Sequence, residues 1–291
     1  MLDLSQGLAD IVARNGDGIV RIESGCRGGG SGLVWAPDRV VTAAHLLEDD
    51  TVRVGLPDGR SVEAKVLGRD DGTDVALLGL EGEKLGAPAR IGLDEAKVGH
   101  LTLSLARPGK TVRAALGMIG TLGEAFRARG GGKIDRYLQP DGGIPAGFAG
   151  GALFDLHGRV LGLNSPALHP EAGLTIPTAT LERVVAEIAA HGRVRRGYFG
   201  VGVAPVRLPG ALSQKYGQHG AAIVVAIEPG GPSEKGGLVL GDVLLSIDGQ
   251  VVEGPRELSA LLEGRLDVDV HVKLLRAGAP TEATVHATAR P

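Results

Sequence analysis

Cysteine, aromatic residues and net charge are all in short supply here. Cys26 is the only cysteine among 291 residues, so no internal disulfide forms and the redox compartment is left open. Its one neighbouring cation is Arg27 and no histidine stands nearby in sequence, which makes Cys26 a poor candidate nucleophile. No apolar run reaches the roughly 18 residues that a membrane-spanning helix requires. The opening Met1-Leu2-Asp3-Leu4-Ser5 lacks the basic and apolar regions of a secretion signal. The protein is therefore expected to be cytoplasmic, or extracytoplasmic with an export or anchor segment removed. A net charge of -3 leaves no basic excess, and no nucleic-acid partner is expected. The histidines fall at no ligand spacing, so no metal is implied. Gly28-Gly29-Gly30 lacks the Gly-Lys-Ser/Thr of a phosphate loop, and no cofactor is expected.

Glycine and short apolar runs are plentiful. With 48 glycines, 43% apolar residues and 3% aromatics, the composition favours turn-rich β architecture over a helical bundle. A first helix is expected over 4–14, from Leu4, Leu8, Ile11 and Val12, ending at Asn15-Gly16. Two sets of about six short strands follow, one over 18–80 and one over 101–176, which suggests two barrels or a two-sheet sandwich. Leu181, Val184, Val185 and Ile188 mark one face of a helix over 178–190, and Gly192 is placed to stop it. The basic, glycine-flanked stretch 191–197 reads as a linker. Residues 1–190 then form one domain and 198–291 a second, with a helix over 255–262 and a final strand pair.

Three segments carry candidate chemistry. The strand Arg39-Val40-Val41-Thr42-Ala43-Ala44-His45 places an imidazole just beyond a sheet edge, where it can act as a general base. In Asp71-Gly72-Thr73-Asp74-Val75, an aspartate at the mouth of a buried strand can fix a histidine's tautomer. Pro145-Ala146-Gly147-Phe148-Ala149-Gly150-Gly151 demands a backbone that a side chain would forbid. Such a turn can aim successive N–H groups into one pocket as an oxyanion hole.

Together these segments resemble the HtrA (Deg) family of bacterial serine proteases, which have a chymotrypsin-like double β-barrel. The order His, Asp, Gly-x-Ser-Gly-Gly and the gaps between the motifs are close to the family's. The resemblance implies His45 as general base, Asp74 as its orienting partner, and the amides around Gly147, Phe148 and Ala149 as the oxyanion hole. It also implies Asn164 and Ser165 as the edge that pairs with substrate, and Leu174 and Ile176 as walls of the primary specificity pocket. The loop 123–136 is expected to be a mobile activation loop, and Phe148 to govern whether the hole forms.

Downstream, Gly197-Tyr198-Phe199-Gly200-Val201 and the run Gly236-Gly237-Leu238-Val239-Leu240-Gly241-Asp242-Val243 are similar to a PDZ domain of mostly β, α+β type. By that resemblance Tyr198, Phe199, Gly200 and Val201 receive a peptide's terminal carboxylate, and Leu258 lines the groove, although Leu258 also fits the core. Family function would be cleavage of unfolded or damaged proteins in the bacterial cell envelope or periplasm. Expected partners are unfolded polypeptides, C-terminal peptides at the PDZ domain, and further copies in a homotrimer. Family trimers commonly use N-terminal aromatics, and the first 34 residues here have none.

One departure governs all of this. Where the family has serine this chain has Ala149, which has no Oγ and cannot form an acyl-enzyme. Ala149 is either an inactivating replacement of serine or the natural residue of a pseudoprotease kept as a peptide-binding or chaperone-like scaffold.

Overall fold

The computed structural model describes residues 2–23, 29–169 and 171–289; Cys26 lies outside them. The chain forms two compact units, Met1–Val194 and Arg195–Pro291.

The first unit opens with helix α1, Leu2–Asn15. Ile11 is buried and Leu8 and Val12 pack beside it, while the Asn15 side chain donates to the Ile11 carbonyl (3.0 Å) and ends the helix before Gly16. The strands β1 (Ile19–Glu23), β2 (Gly30–Ala36), β3 (Arg39–Ala43), β4 (Thr51–Gly55), β5 (Ser61–Asp70) and β6 (Val75–Gly79) follow. They close into a barrel in the order β1-β2-β3-β6-β5-β4. Every residue of β6 is buried, which explains its unbroken apolar run. Alternation sends Ala76 and Leu78 into one core with Val20, Val34 and Val40. Val75 and Leu77 face a second core shared with the rest of the unit.

Next come β7 (Leu101–Ala106), β8 (Arg113–Leu122), β9 (Phe126–Arg127), β10 (Lys133–Ile134), β11 (Leu138–Pro140), β12 (Ala152–Asp155), β13 (Val160–Ser165) and β14 (Leu174–Pro177). Six of them form a sheet in the order β11-β8-β7-β12-β13-β14, and β9 and β10 pair as a separate hairpin. The stretch 123–136, expected as a mobile loop, is thus largely this hairpin, and side-chain bonds tie it to the next helix. That helix, α2, is Thr178–His191. It buries Leu181, Val184 and Ile188 in the second core, and Gly192 caps it at φ 73°, its N–H on the Ile188 carbonyl at 2.7 Å.

The 191–197 stretch, read as a linker, gives its first residue to α2 and its last to a strand of the second unit. That unit contains β15 (Gly197–Tyr198), β16 (Val201–Arg207), α3 (Gly210–Tyr216), β17 (Gly220–Ile227), α4 (Pro232–Lys235), β18 (Val243–Ile247), β19 (Gln250–Val251), α5 (Pro255–Leu262), β20 (Val268–Arg276) and β21 (Ala279–Ala289). The sheet order is β15-β21-β20-β18-β17-β16, with β19 paired to β18, so β16 is an edge strand. No helix of the described residues is long and apolar enough to cross a membrane.

One buried charge anchors the second unit. Burial opposes ionisation of Asp242, but two bonds from Arg276 (2.9 and 2.8 Å) and one from the Val239 amide (2.9 Å) outweigh it and hold the carboxyl below its usual range. A carboxyl whose pKa falls on folding adds stability above its unfolded value, about 4, and loses it as pH drops through the lower folded value. The second unit is therefore expected to weaken below about pH 4. Asp242→Asn should lower the denaturant midpoint at neutral pH and flatten that acid decline. An unchanged acid slope in the variant would assign the pH dependence elsewhere.

Candidate active site

Strand pairing alone brings His45 to Asp74. Antiparallel β3 and β6 pair Ala43 with Val75, so the residues just after β3 abut those just before β6. The Ala44 amide donates to the Asp74 carbonyl (3.1 Å) and the His45 amide to Asp74 Oδ1 (2.9 Å). His45 Nδ1 lies 2.8 Å from Asp74 Oδ2 and 3.0 Å from Oδ1. A carboxylate against Nδ1 keeps the ring proton there and leaves Nε2 with a lone pair. Asp74 sits at φ 58°, a left-handed conformation that aspartate tolerates better than most residues. Its carboxylate is buried, whereas the imidazole keeps about a third of its surface in solvent (7% against 32%).

The carboxylate has a third partner that sequence reading missed: the Ser165 hydroxyl donates to Oδ2. Strand alternation held the clue. Leu163 of β13 faces the core, so Ser165, two residues on, faces the same side.

The glycine turn follows from its sequence. The Phe148 amide donates to the Pro145 carbonyl (3.1 Å), and Gly147 has φ 85° at the third position of the turn. This is the type II geometry that requires glycine there. The alternative, type I, would reverse the central peptide and swing the Gly147 N–H to the other side. The Gly150 amide donates to the Asn164 carbonyl (2.9 Å) and the Gly151 amide to the Phe148 carbonyl (3.0 Å). Among the described residues three amides of this turn donate to nothing, those of the exposed Ala146, of Gly147 and of Ala149. Two unspent donors flanking Phe148 are what an incoming oxyanion needs. Phe148 itself is buried, with the Arg113 guanidinium 5.8 Å from its ring.

Ala149 packs against Ala43 and Leu46, on either side of His45, and is 8% exposed. Its carbonyl accepts from the Ser31 amide (2.8 Å). Ser31 is clamped in turn: Thr42 Oγ1 donates to its carbonyl (2.7 Å), and its Oγ accepts from the Arg107 amide (2.8 Å). The buried Arg107 guanidinium donates to the carbonyls of Ile19, Gly16 and Lys110, and burial pushes its pKa down. A Cβ on Gly150 would lie 2.0 Å from the Ser31 carbonyl oxygen, at a residue whose φ is 71°. Gly150→Ala is therefore expected to destabilise the chain by on the order of 3 kcal/mol, read from denaturant midpoints. A loss below about 1 kcal/mol would mean that the turn yields easily.

Several sequence expectations are corrected. Asn164 is not at a free edge: β13 lies between β12 and β14, and both main-chain groups of Asn164 bond the 150–151 turn. Ser165 is buried and spends its hydroxyl on Asp74. Leu174 and Ile176 are 2% and 0% exposed, and Ile176 packs in the second core.

In the second unit, Phe199 fills the core, while its carbonyl accepts from the Ser233 amide and that of Gly200 from the Glu228 amide (both 2.8 Å). The Phe199 and Gly200 amides donate to nothing among the described residues, and Gly200 has φ 71°. Tyr198 donates its hydroxyl to Glu228 (2.7 Å). Val201 begins the edge strand β16, paired on one side with β17 and packed near α5. Leu258 is buried in the core of this unit.

A closed barrel and a six-stranded sheet, with a His–Asp pair and a glycine turn between their strand ends, define a trypsin-like peptidase domain, here followed by a PDZ domain. Residues 30–163 match the family described as trypsin-like peptidase domain, and residues 223–276 match the PDZ domain. The chain is 34% identical over 247 residues to a protein of Brucella suis named "Probable periplasmic serine endoprotease DegP-like", covering 79% of this chain and 46% of that one. A protein of the same name from Halomonas elongata is 32% identical, over 88% of this chain and 55% of its own. The chain thus spans about half the length of the curated relatives it matches. Among solved structures, "HtrA-type protease AlgW with decapeptide" superposes with a TM-score of 0.76 at 26% identity, covering 98% of this chain and 99% of that one. The chain thus carries a trypsin-like peptidase domain followed by a PDZ domain and is similar to DegP-like and HtrA-type proteases.

Proposed function

We propose that this chain is an HtrA-type serine endopeptidase with its nucleophile position held by Ala149. It engages unfolded or damaged polypeptides in protein quality control and, as it stands, does not cut them. The reading rests above all on one observation: a His45–Asp74 pair beside a turn whose Gly147 and Ala149 amides are unspent. With serine at 149, its Oγ attacks a peptide carbonyl while His45 Nε2 takes the proton. The tetrahedral oxyanion is received by the amides of Gly147 and 149. His45 then protonates the leaving amine as the C–N bond breaks, and water hydrolyses the acyl-enzyme by the same exchange. In the second unit, the amides of Phe199 and Gly200 receive a terminal carboxylate while the peptide adds along β16. The names of the relatives and the peptide-bound neighbours favour a periplasmic location and peptide ligands. Homotrimeric assembly belongs to the same proposal.

The test is the Ala149→Ser protein treated with a fluorophosphonate probe and incubated with casein. Labelling and cleavage by the serine form alone support the assignment. A folded serine form that is neither labelled nor active, even with a PDZ-binding peptide, overturns it in favour of a binding scaffold.

A further inference from the structure

The β9–β10 hairpin is built against the turn that presents Asp74. Within that turn the Thr73 hydroxyl and amide both donate to Asp70 Oδ2 (2.6 and 3.2 Å), and Asp74 follows at φ 58°. From the other side the tip of the hairpin presses its bare backbone onto it. A Cβ on Gly132 would lie 2.3 Å from the Gly72 carbonyl carbon, 2.4 Å from its oxygen and 2.7 Å from Thr73 Cγ2. One on Gly130 would lie 2.9 Å from the Asp71 oxygen. The tip is closed by the Ala128 amide on the Gly132 carbonyl and the Gly131 amide on that of Ala128 (both 2.9 Å), and Arg127 donates to the Gly131 carbonyl (2.9 Å).

The base of the hairpin is fixed to α2. Asp135 takes a hydrogen bond from Thr180 Oγ1 at 2.8 Å and returns its amide to the same hydroxyl at 2.9 Å. Arg183 donates to the Lys133 carbonyl (2.6 Å) and to Asp135 (3.1 Å). The hairpin therefore has one end anchored on a packed helix and the other in close backbone contact with residues 71–73. A side chain at 130 or 132 would meet main-chain atoms there, which no rotamer change can move aside.

We propose that this hairpin sets the position of Asp74, with Gly132 as its positioning residue. The proposal rests on the reading of His45 and Asp74 as base and orienter. A side chain at 132 displaces the 71–73 turn and with it the carboxylate facing His45 Nδ1. Gly132 touches neither substrate nor the reacting atoms and acts only through Asp74.

The direct readout needs no nucleophile. The His45 Nδ1–H held by Asp74 gives a low-field proton resonance in the chain with Ala149, and Gly132→Ala should shift or abolish it. In the Ala149→Ser protein the same substitution should lower kcat/KM about tenfold or more while the folded state persists, since ångström displacements of catalytic groups have effects of that size. If Gly132→Ala does not fold, Arg183→Met frees the base of the hairpin without a clash and should move the same resonance. A folded Gly132→Ala protein with the parent's resonance and rate overturns the proposal, as does an unmoved resonance in Arg183→Met where Gly132→Ala fails to fold. An Ala149→Ser parent that is inert to the fluorophosphonate probe instead removes the protease reading, and the resonance still decides the positioning role.

Discussion

Placing serine at position 149 is expected to raise kcat for peptide hydrolysis by on the order of 10⁶ over the alanine chain. The magnitude follows from what is already assembled. The Ala149 carbonyl is pinned by the Ser31 amide, and Gly150 and Gly151 are bonded on the far side, so the Cβ direction at 149 is set by the backbone. Ala149 already packs between the neighbours of His45, and on the proposed reading one added oxygen enters a site that already holds its base and hole donors. Progress curves on one fluorogenic peptide, with matched enzyme concentrations and a probe-titrated active fraction, give the ratio. A gain below about 10² would mean that the Gly147 and 149 amides or the His45 ring are not arranged for acyl transfer.

In that serine protein, Asp74→Asn is expected to reduce kcat by about 10⁴ with little change in KM. The carboxylate has three bonds to the site: the His45 ring, the His45 amide and the Ser165 hydroxyl. A carboxamide is nearly the same size but can offer its NH₂ to Nδ1, which turns the imidazole to the tautomer with Nε2 protonated and unable to accept a proton. The Ser165 and His45 amide donors then compete for the single amide oxygen. Steady-state kinetics over pH separate this from misfolding, because a tautomer defect lowers kcat in a protein of unchanged thermal midpoint. An effect below about tenfold would show that Asp74 serves structure more than chemistry.

The sequence carried the chemistry-bearing residues more fully than it carried their surroundings. His45 and Asp74 were legible because one follows a short apolar strand and the other precedes one, and antiparallel pairing of the two brings those positions together. The glycine turn was legible because few backbones need glycine at both 147 and 150. The burial of Leu174 and Ile176 was not legible, because only the pairing of β14 with β13 sets which way they face. Asn164 and Ser165 were misread for the same reason: β14 covers β13, and nothing local says which strand ends the sheet. The β9–β10 hairpin escaped because its strands are two residues each, too short for any periodicity. Its glycines looked like slack and instead permit contact.

The edge strand β16 has a further consequence for how ligand length is converted into affinity. Pro205 lies in its middle, opposite Ala222, and brings no N–H to the strand. On the proposed binding mode, a peptide that adds along β16 from Val201 finds no N–H donor at Pro205. Extending such a peptide beyond about four residues should leave Kd nearly flat. A proline on an edge strand also works against edge-to-edge pairing of copies.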